Sequence, residues 1–112
     1  MSYRENMVYS GIFNLGEAEF TASASIDVYG LNTNNGTAIT VNLPPVATVA
    51  RFKSYTFKDT GNNASSNNIT IDGAGTQKID GQNTFTIDTN GEAVTIVSDG
   101  GAWLIIGRYV AG

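Results

Sequence analysis

Apolar and polar residues alternate along most of the chain, a pattern typical of β-strands rather than helices. The clearest stretch covers residues 20–29, where apolar side chains share one face and Thr, Ser and Asp share the other. This pattern predicts a half-buried strand with one face in water. Further segments of this kind, bounded by Asn-Gly, Asp-Gly or Pro-Pro turns, occupy residues 37–43, 52–59, 68–72, 77–80 and 84–88. The chain is therefore predicted to be all-β.

The most apolar stretch, residues 92–107, reads as two strands joined by a tight Asp-Gly-Gly turn. In its second strand Trp103 and Ile105 fall on one face, and Leu104 and Ile106 on the other. A small domain can cover only one of these faces from within. We expect Trp103 in the core and the Leu104/Ile106 face against a neighbouring subunit or the N-terminal segment.

The number and spacing of the strands predict a fold. About eight strands, spaced roughly eight to twelve residues apart, favour a small antiparallel β-sandwich or jelly-roll-like domain over residues 20–112. Ile precedes Asp in three neighbouring segments, which a short β-solenoid would also produce. That solenoid is the alternative fold.

The N-terminal residues 1–19 have apolar side chains without a clean period. One interpretation is a short edge strand followed by a loop. The other is an arm that attaches the protein to a partner, and we adopt it as the predicted attachment segment. Its apolar residues Ile12 and Phe13 join Leu104 and Ile106 as the predicted subunit interface.

Composition narrows the possible functions. The chain has 112 residues, which suits one domain, and only 14% are charged, against about 25% in ordinary globular chains. Its net charge is −4 and its six basic residues are scattered, so nucleic-acid binding is not expected. The sequence has neither His nor Cys, which removes thiolate metal sites and His-dependent catalysis. No apolar run reaches the roughly 20 residues that cross a membrane.

The remaining candidate chemistry rests on ten carboxylates. Asp72, Asp80 and Asp99 each precede Gly at the end of a predicted strand, where Asp-Gly is ordinary turn chemistry. We therefore predict a protein that is not an enzyme, with no catalytic residue, no cofactor and no metal site. A hydrolase that uses two carboxylates is the distant alternative.

Polar and aromatic side chains in the loops at 30–36 and 60–68 suggest a surface for recognition. Asn and Tyr side chains can hydrogen-bond and stack on a receptor or glycan. The predicted recognition residues are Tyr29, Asn34, Asn35, Asn62 and Asn63.

Several segments between residues 37 and 106 carry a family resemblance. They are Ala38–Pro45, Tyr55–Ala64, Asn68–Ile71, Ile79–Gly81, and Val94–Gly100 followed by Trp103. In order and spacing they resemble a β-rich module common in bacteriophage virion proteins, among them tail fibres, spikes and small capsid-attached fibres or decoration proteins.

The resemblance implies a function and a set of partners. Modules of this kind form trimers, so it implies a homotrimeric structural protein displayed on the virion and assembled in the host cytoplasm. Other capsid or tail proteins would bind the N-terminal segment. A receptor- or glycan-binding module of a tail fibre is the alternative function that the resemblance allows.

Overall fold

The computed structural model describes residues 11–110, apart from the side chains of residues 13 and 14. This part of the chain forms nine strands and one 3₁₀ turn at Val46–Thr48. The strands are β1 (Gly11–Leu15), β2 (Glu19–Thr21), β3 (Val28–Leu31), β4 (Ile39–Asn42), β5 (Ser54–Asp59), β6 (Ile69–Asp72), β7 (Thr84–Ile87), β8 (Ala93–Ser98) and β9 (Trp103–Tyr109). The predicted all-β class is confirmed.

The strands build two mixed sheets. One has five strands in the order β1-β3-β5-β8-β9, and the other has four in the order β2-β4-β6-β7. Strands β1 to β6 alternate between the two sheets. Successive strands within one sheet, such as β1 and β3 or β2 and β4, run in the same direction and pair in parallel. The last part of the chain, β7 to β9, pairs antiparallel.

The four parallel pairings correct the antiparallel part of the predicted sandwich or jelly roll, because both sheets are mixed. Alternation along a strand shows which side chains face inward, but it does not show which strand lies next to it. The path of β1 to β6 winds from sheet to sheet, as in the solenoid considered as the alternative fold. The Ile-Asp pairs that suggested a solenoid do not mark its turns, because they fall on β6, on an isolated bridge at Ile79 and on the antiparallel β7.

A single core lies between the two sheets. Its aromatic centre comes from the five-stranded sheet, where the rings of Tyr55 and Trp103 are 5.5 Å apart and those of Tyr29 and Phe57 are 5.6 Å apart. The four-stranded sheet contributes a row of Ile side chains, since Ile69 pairs with a buried Ile in each of its two neighbours. The predicted burial of Trp103 is confirmed.

The alternating stretch at residues 20–29 forms two strands instead of one. It leaves the four-stranded sheet after β2 and enters the five-stranded sheet at β3. Between them Ser23 makes a turn, in which its carbonyl accepts a hydrogen bond from Ile26 N and its Oγ accepts one from Ser25 N. Such local Ser bonds compete with sheet pairing. The apolar–polar alternation of the sequence continues through this corner, although the inward positions change from Ala22 before it to Tyr29 and Leu31 after it, and so the sequence does not show the corner.

The N-terminal strands belong to the two sheets. β1 pairs with β3 at the edge of the five-stranded sheet, as the edge-strand interpretation expected for part of residues 1–19. The boundary predicted between residues 19 and 20 falls inside β2. The rest of the predicted attachment segment, residues 1–10, lies outside the described residues.

Candidate functional site

Exposed apolar side chains gather along β9. Among the described residues five large apolar side chains are exposed, and four of them lie on β9 or directly after it. These four, which we call the β9 patch, are Leu104 (39% exposed), Ile106 (63%), Tyr109 and Val110. Monomeric proteins seldom keep large apolar side chains together on the surface unless something binds there.

The alternation of β9 produces this patch. Trp103 is buried and Ile105 packs against the core, so Leu104 between them points outward. A bulge follows, because Ile105 pairs with Ile96 while Gly107 pairs with Thr95. Ile106 is thus an extra residue on the bulged strand, and bulges re-aim side chains in this way.

The sheet surface beside the patch has few unsatisfied polar groups. Thr56 of β5 and Thr95 of β8 are paired across the strands, and their hydroxyls are 2.9 Å apart. The Lys58 ammonium lies 5.4 Å from the centre of the Tyr109 ring, within range of a cation–π interaction. Because the two hydroxyls bond each other, covering this surface with a partner would leave neither of them without a hydrogen bond.

The backbone edge of β9 is occupied over its first residues. Trp103 N donates to the Lys78 carbonyl at 2.9 Å, and Asp80 N donates to the Trp103 carbonyl at 2.9 Å. Ile105 N donates to the Asp80 carboxylate at 2.8 Å. An edge strand with free N–H and C=O groups invites pairing with another chain. The segment around Asp80 blocks such pairing here, which leaves the side chains of β9 as its contact surface.

The second half of β9 is fixed to the rest of the domain through Arg108. Its Nε donates to Glu92 Oε2 at 2.8 Å, and its guanidinium lies 5.3 Å from the centre of the Phe85 ring in β7. Glu92 is fully buried, and its Oε1 also accepts bonds from the N–H groups of Asp88 and Thr89. A buried carboxylate with several donors holds its surroundings rigidly. The β9 patch is therefore presented on a fixed support.

The described members of the predicted interface lie at two places in the fold. Leu104 and Ile106 lie near each other on β9, as the sequence suggested. Ile12 lies on β1, at the opposite edge of the five-stranded sheet, where it is partly buried against the core. The side chain of Phe13 lies outside the described part of the structure.

The predicted recognition loops do come together. The Asn63 amide donates to the Thr33 carbonyl at 3.2 Å, which fastens loop 60–68 to the loop after β3. Contact is so close at Gly61 that a Cβ there would lie 2.3 Å from the Asn32 side chain. Asn63 is half-buried by this role. The exposed members of the predicted set are Asn34, Asn35 and Asn62.

Tyr29 does not belong to that surface. Only 2% of it is exposed, and its hydroxyl accepts a hydrogen bond from Ser23 N at 2.7 Å. Burial raises the pKa of this hydroxyl. The expectation of an exposed Tyr29 is wrong, because in β3 Tyr29 shares the inward face with Leu31.

Sequence reasoning missed Asp59, which organises the same end of the molecule. Its Oδ2 accepts hydrogen bonds from the N–H groups of Asn63, Ala64 and Gly91, each at 3.0 Å. One buried carboxylate thus joins loop 60–68 to the turn before β8. The signal was present in the sequence, since Asp59 takes the next inward position after Tyr55 and Phe57.

Residues 11–110 contain no group of three or more His, Cys, Asp or Glu side chains able to hold a metal ion, and no pocket. No helix in that range is long and apolar enough to cross a membrane.

Comparisons with known proteins add no relative. No family model matches the sequence, and a search of curated proteins finds no match. A function for this chain therefore has to be argued from the fold, the β9 patch and the loops.

Proposed function

We propose that the protein is a non-enzymatic structural component of a bacteriophage virion, a homotrimeric β-rich spike, fibre or capsid decoration protein. The observation that carries the proposal is the β9 patch on a sheet edge whose backbone is occupied at Trp103 and Ile105. Covering a large apolar side chain contributes about 1.5–3 kcal/mol, so several such side chains in each of three subunits would hold a trimer together.

The blocked edge favours a closed assembly. Strand-to-strand pairing at an open edge can continue from copy to copy, whereas a rotation that closes after three copies ends in a ring. Contacts through the side chains of Leu104 and Ile106 suit such a ring. The resemblance to phage modules, which includes the turn before β9 and Trp103, supports the number three.

The two edges of the five-stranded sheet suit different partners. The chain enters the sheet through β1, and the β9 patch lies at the opposite edge. An attachment segment before Gly11 would therefore not compete with trimer contacts. Because residues 11–15 are part of the sheet, the attachment role is assigned to residues 1–10.

Phage particles provide the test. Antibodies against the purified protein should label intact particles of the phage whose genome encodes it. Deleting residues 1–10 should abolish incorporation while the far-UV circular dichroism and the melting temperature of the purified domain stay unchanged. The protein's absence from purified particles would overturn the virion role, and normal incorporation of the deletion variant would overturn the attachment role.

A receptor-binding module is the second candidate. Loops 32–37 and 60–68 are fastened to each other through Thr33 and Asn63, so the exposed residues Asn34 and Asn62 lie on neighbouring, joined loops. If these amides recognise a receptor, the variant Asn34→Ala/Asn62→Gly, which keeps the left-handed backbone at position 62, should abolish adsorption of the phage to its host without changing the amount of protein in the particle. Unchanged adsorption would refute this role.

A further inference from the structure

Phe52 has an unfavourable backbone conformation and an exposed aromatic ring. Lys53 N donates to the Ala50 carbonyl at 2.9 Å, which closes a turn with Phe52 at its third position. The φ angle of Phe52 is 70°, in the left-handed region that favours Gly and Asn. The side chain is 68% exposed, so burial does not offset the strain. Backbone outliers of this kind concentrate at functional sites.

A cation lies against this ring. The Arg51 guanidinium carbon is 5.2 Å from the centre of the Phe52 ring. Phe52 N donates to the Ser98 carbonyl at 2.8 Å, which fixes the turn beside the hairpin turn that joins β8 to β9. The Arg51 side chain also reaches that hairpin, because a Cβ on Gly100 would lie 3.8 Å from its Cδ and Nε atoms.

The hairpin turn adds a carboxylate. Asp99 Oδ1 accepts hydrogen bonds from Gly101 N and Ala102 N, both at 2.8 Å. These bonds hold the pKa of Asp99 below its usual value, and the charge of Arg51 contributes to the shift. The carboxylate is thus ionised and fixed in position. Arg51, Phe52 and Asp99 form what we call the Phe52 corner.

We propose that the Phe52 corner binds a neutral saccharide. The apolar C–H face of a sugar ring would stack on the exposed aromatic face. Its hydroxyl groups would donate to the Asp99 carboxylate and accept from the Arg51 guanidinium. The two opposite charges balance, which favours an uncharged polyol over an anionic or cationic ligand. This site lies at the end of the sheet where β5 begins, away from loops 32–37 and 60–68, which follow the ends of β3 and β5.

A protein partner fits the corner less well. Docking a protein would remove water from both Arg51 and Asp99, whereas a sugar replaces that water with its own hydroxyl groups. The β9 patch offers a protein partner a more apolar surface on the same sheet. The saccharide site requires neither the virion role nor the trimer, so it can be tested on the purified protein alone.

The test uses an array of neutral and sialylated oligosaccharides, followed by NMR titration of the full chain with the best neutral ligand. Phe52→Gly should weaken binding by at least about tenfold, because the ring is lost while Gly accepts the backbone conformation. The melting temperature of this variant should be equal or higher. Phe52→Tyr should keep binding within about threefold, and Asp99→Asn should weaken it while keeping the turn, since the amide oxygen can still accept both bonds.

The control is Thr84→Ala, at an exposed position of β7 in the other sheet, and it should bind like the original protein. The double variant Asn34→Ala/Asn62→Gly tests the loops instead, and Gly accepts the left-handed φ angle of 57° at position 62. Three outcomes would overturn the proposal. The first is an array on which no neutral saccharide binds, and the second is a loss of binding in the Asn34/Asn62 variant but not in Phe52→Gly. The third is a Phe52→Gly variant that keeps saccharide binding but loses oligomer formation or incorporation into particles, which would assign Phe52 to a protein contact.

Discussion

Asp59 occupies an inward position in β5, and three backbone N–H groups from two loops depend on its carboxylate. Asp59→Ala would leave these donors without their acceptor in a buried place, which costs about 1–3 kcal/mol for each group that water cannot reach. We expect the free energy of unfolding to fall by roughly 3 kcal/mol in urea titrations.

Asp88→Ala is the control, because the exposed Asp88 carboxylate accepts a bond from the neighbouring Thr89 hydroxyl, and the bond from Asp88 N to Glu92 does not depend on the side chain. It should change the free energy of unfolding by less than about 0.5 kcal/mol. Equal effects of the two substitutions would contradict the role given to Asp59.

Tyr55 gives the domain a specific response to high pH. Burial raises its pKa from 10.0 to about 12, and the nearby Tyr29 and Asp27 add to the shift. The folded state therefore holds the phenol proton more tightly than the unfolded state does. The contribution of the protonated Tyr55 hydroxyl to the free energy of unfolding is complete below pH 10. As the pH rises towards 12 this contribution is lost, by an amount on the order of 2 kcal/mol.

Melting temperatures measured from pH 8 to pH 12 test this expectation. They should fall above pH 10, and the fall should be smaller in Tyr55→Phe. This variant also loses the bond from the Tyr55 hydroxyl to the Ser23 carbonyl, so it should be less stable at pH 8. An equally steep alkaline loss in both proteins would contradict the assignment to Tyr55.

At the scale of elements, the sequence predicted which side chains face inward better than it predicted which strands lie next to each other. It placed Trp103 in the core and Leu104 outside, because period-two alternation states this directly. It did not predict the parallel pairing of β1 to β6, since pairing depends on which sheet the chain enters after each turn. The turn at Ser23 shows the difficulty, because the apolar–polar alternation of the sequence continues through it unchanged.

Leu104 tests the role of the β9 patch. Because Leu104 is exposed in the single chain, Leu104→Asp should disperse the oligomer while the domain stays folded. Size-exclusion chromatography with light scattering would detect the dispersal, and thermal denaturation followed by circular dichroism would check the fold. The control is Thr37→Asp, which places the same charge at an exposed loop position before β4, away from β9. An oligomer that survives Leu104→Asp would show that the contact lies elsewhere.

Asp80 tests the blocked edge. Asp80→Gly would keep the left-handed backbone at this position, where φ is 48°, and remove the acceptor of Ile105 N. The backbone bonds to Trp103 would remain, but the freed Ile105 N–H should then pair with other copies, so light scattering should rise with time and concentration. Asp80→Asn keeps a carbonyl acceptor and should behave like the original protein. If the Asp80→Gly protein keeps the particle size of the original protein, the Asp80 carboxylate does not prevent pairing at this edge.

At the scale of the whole molecule, the positions of the candidate sites depend on which strands lie side by side, and composition does not show this. The two recognition loops were predicted separately, and Thr33 and Asn63 join them only because β3 and β5 are neighbours. Ile12 and Leu104 were predicted to share a subunit interface, and because they lie at opposite edges of one sheet they could meet only between different copies. The sequence showed Phe52 only as an aromatic residue in a predicted strand, since a left-handed φ angle at a non-glycine residue leaves no mark in the sequence.

The mass of the purified protein in solution tests the central claim most directly. Light scattering coupled to size-exclusion chromatography at micromolar concentrations should give three times the chain mass of 11.8 kDa. The trimer should persist in high salt, because apolar side chains hold it together. A particle of 11.8 kDa under the same conditions would contradict the proposal that the β9 patch joins three copies of the chain.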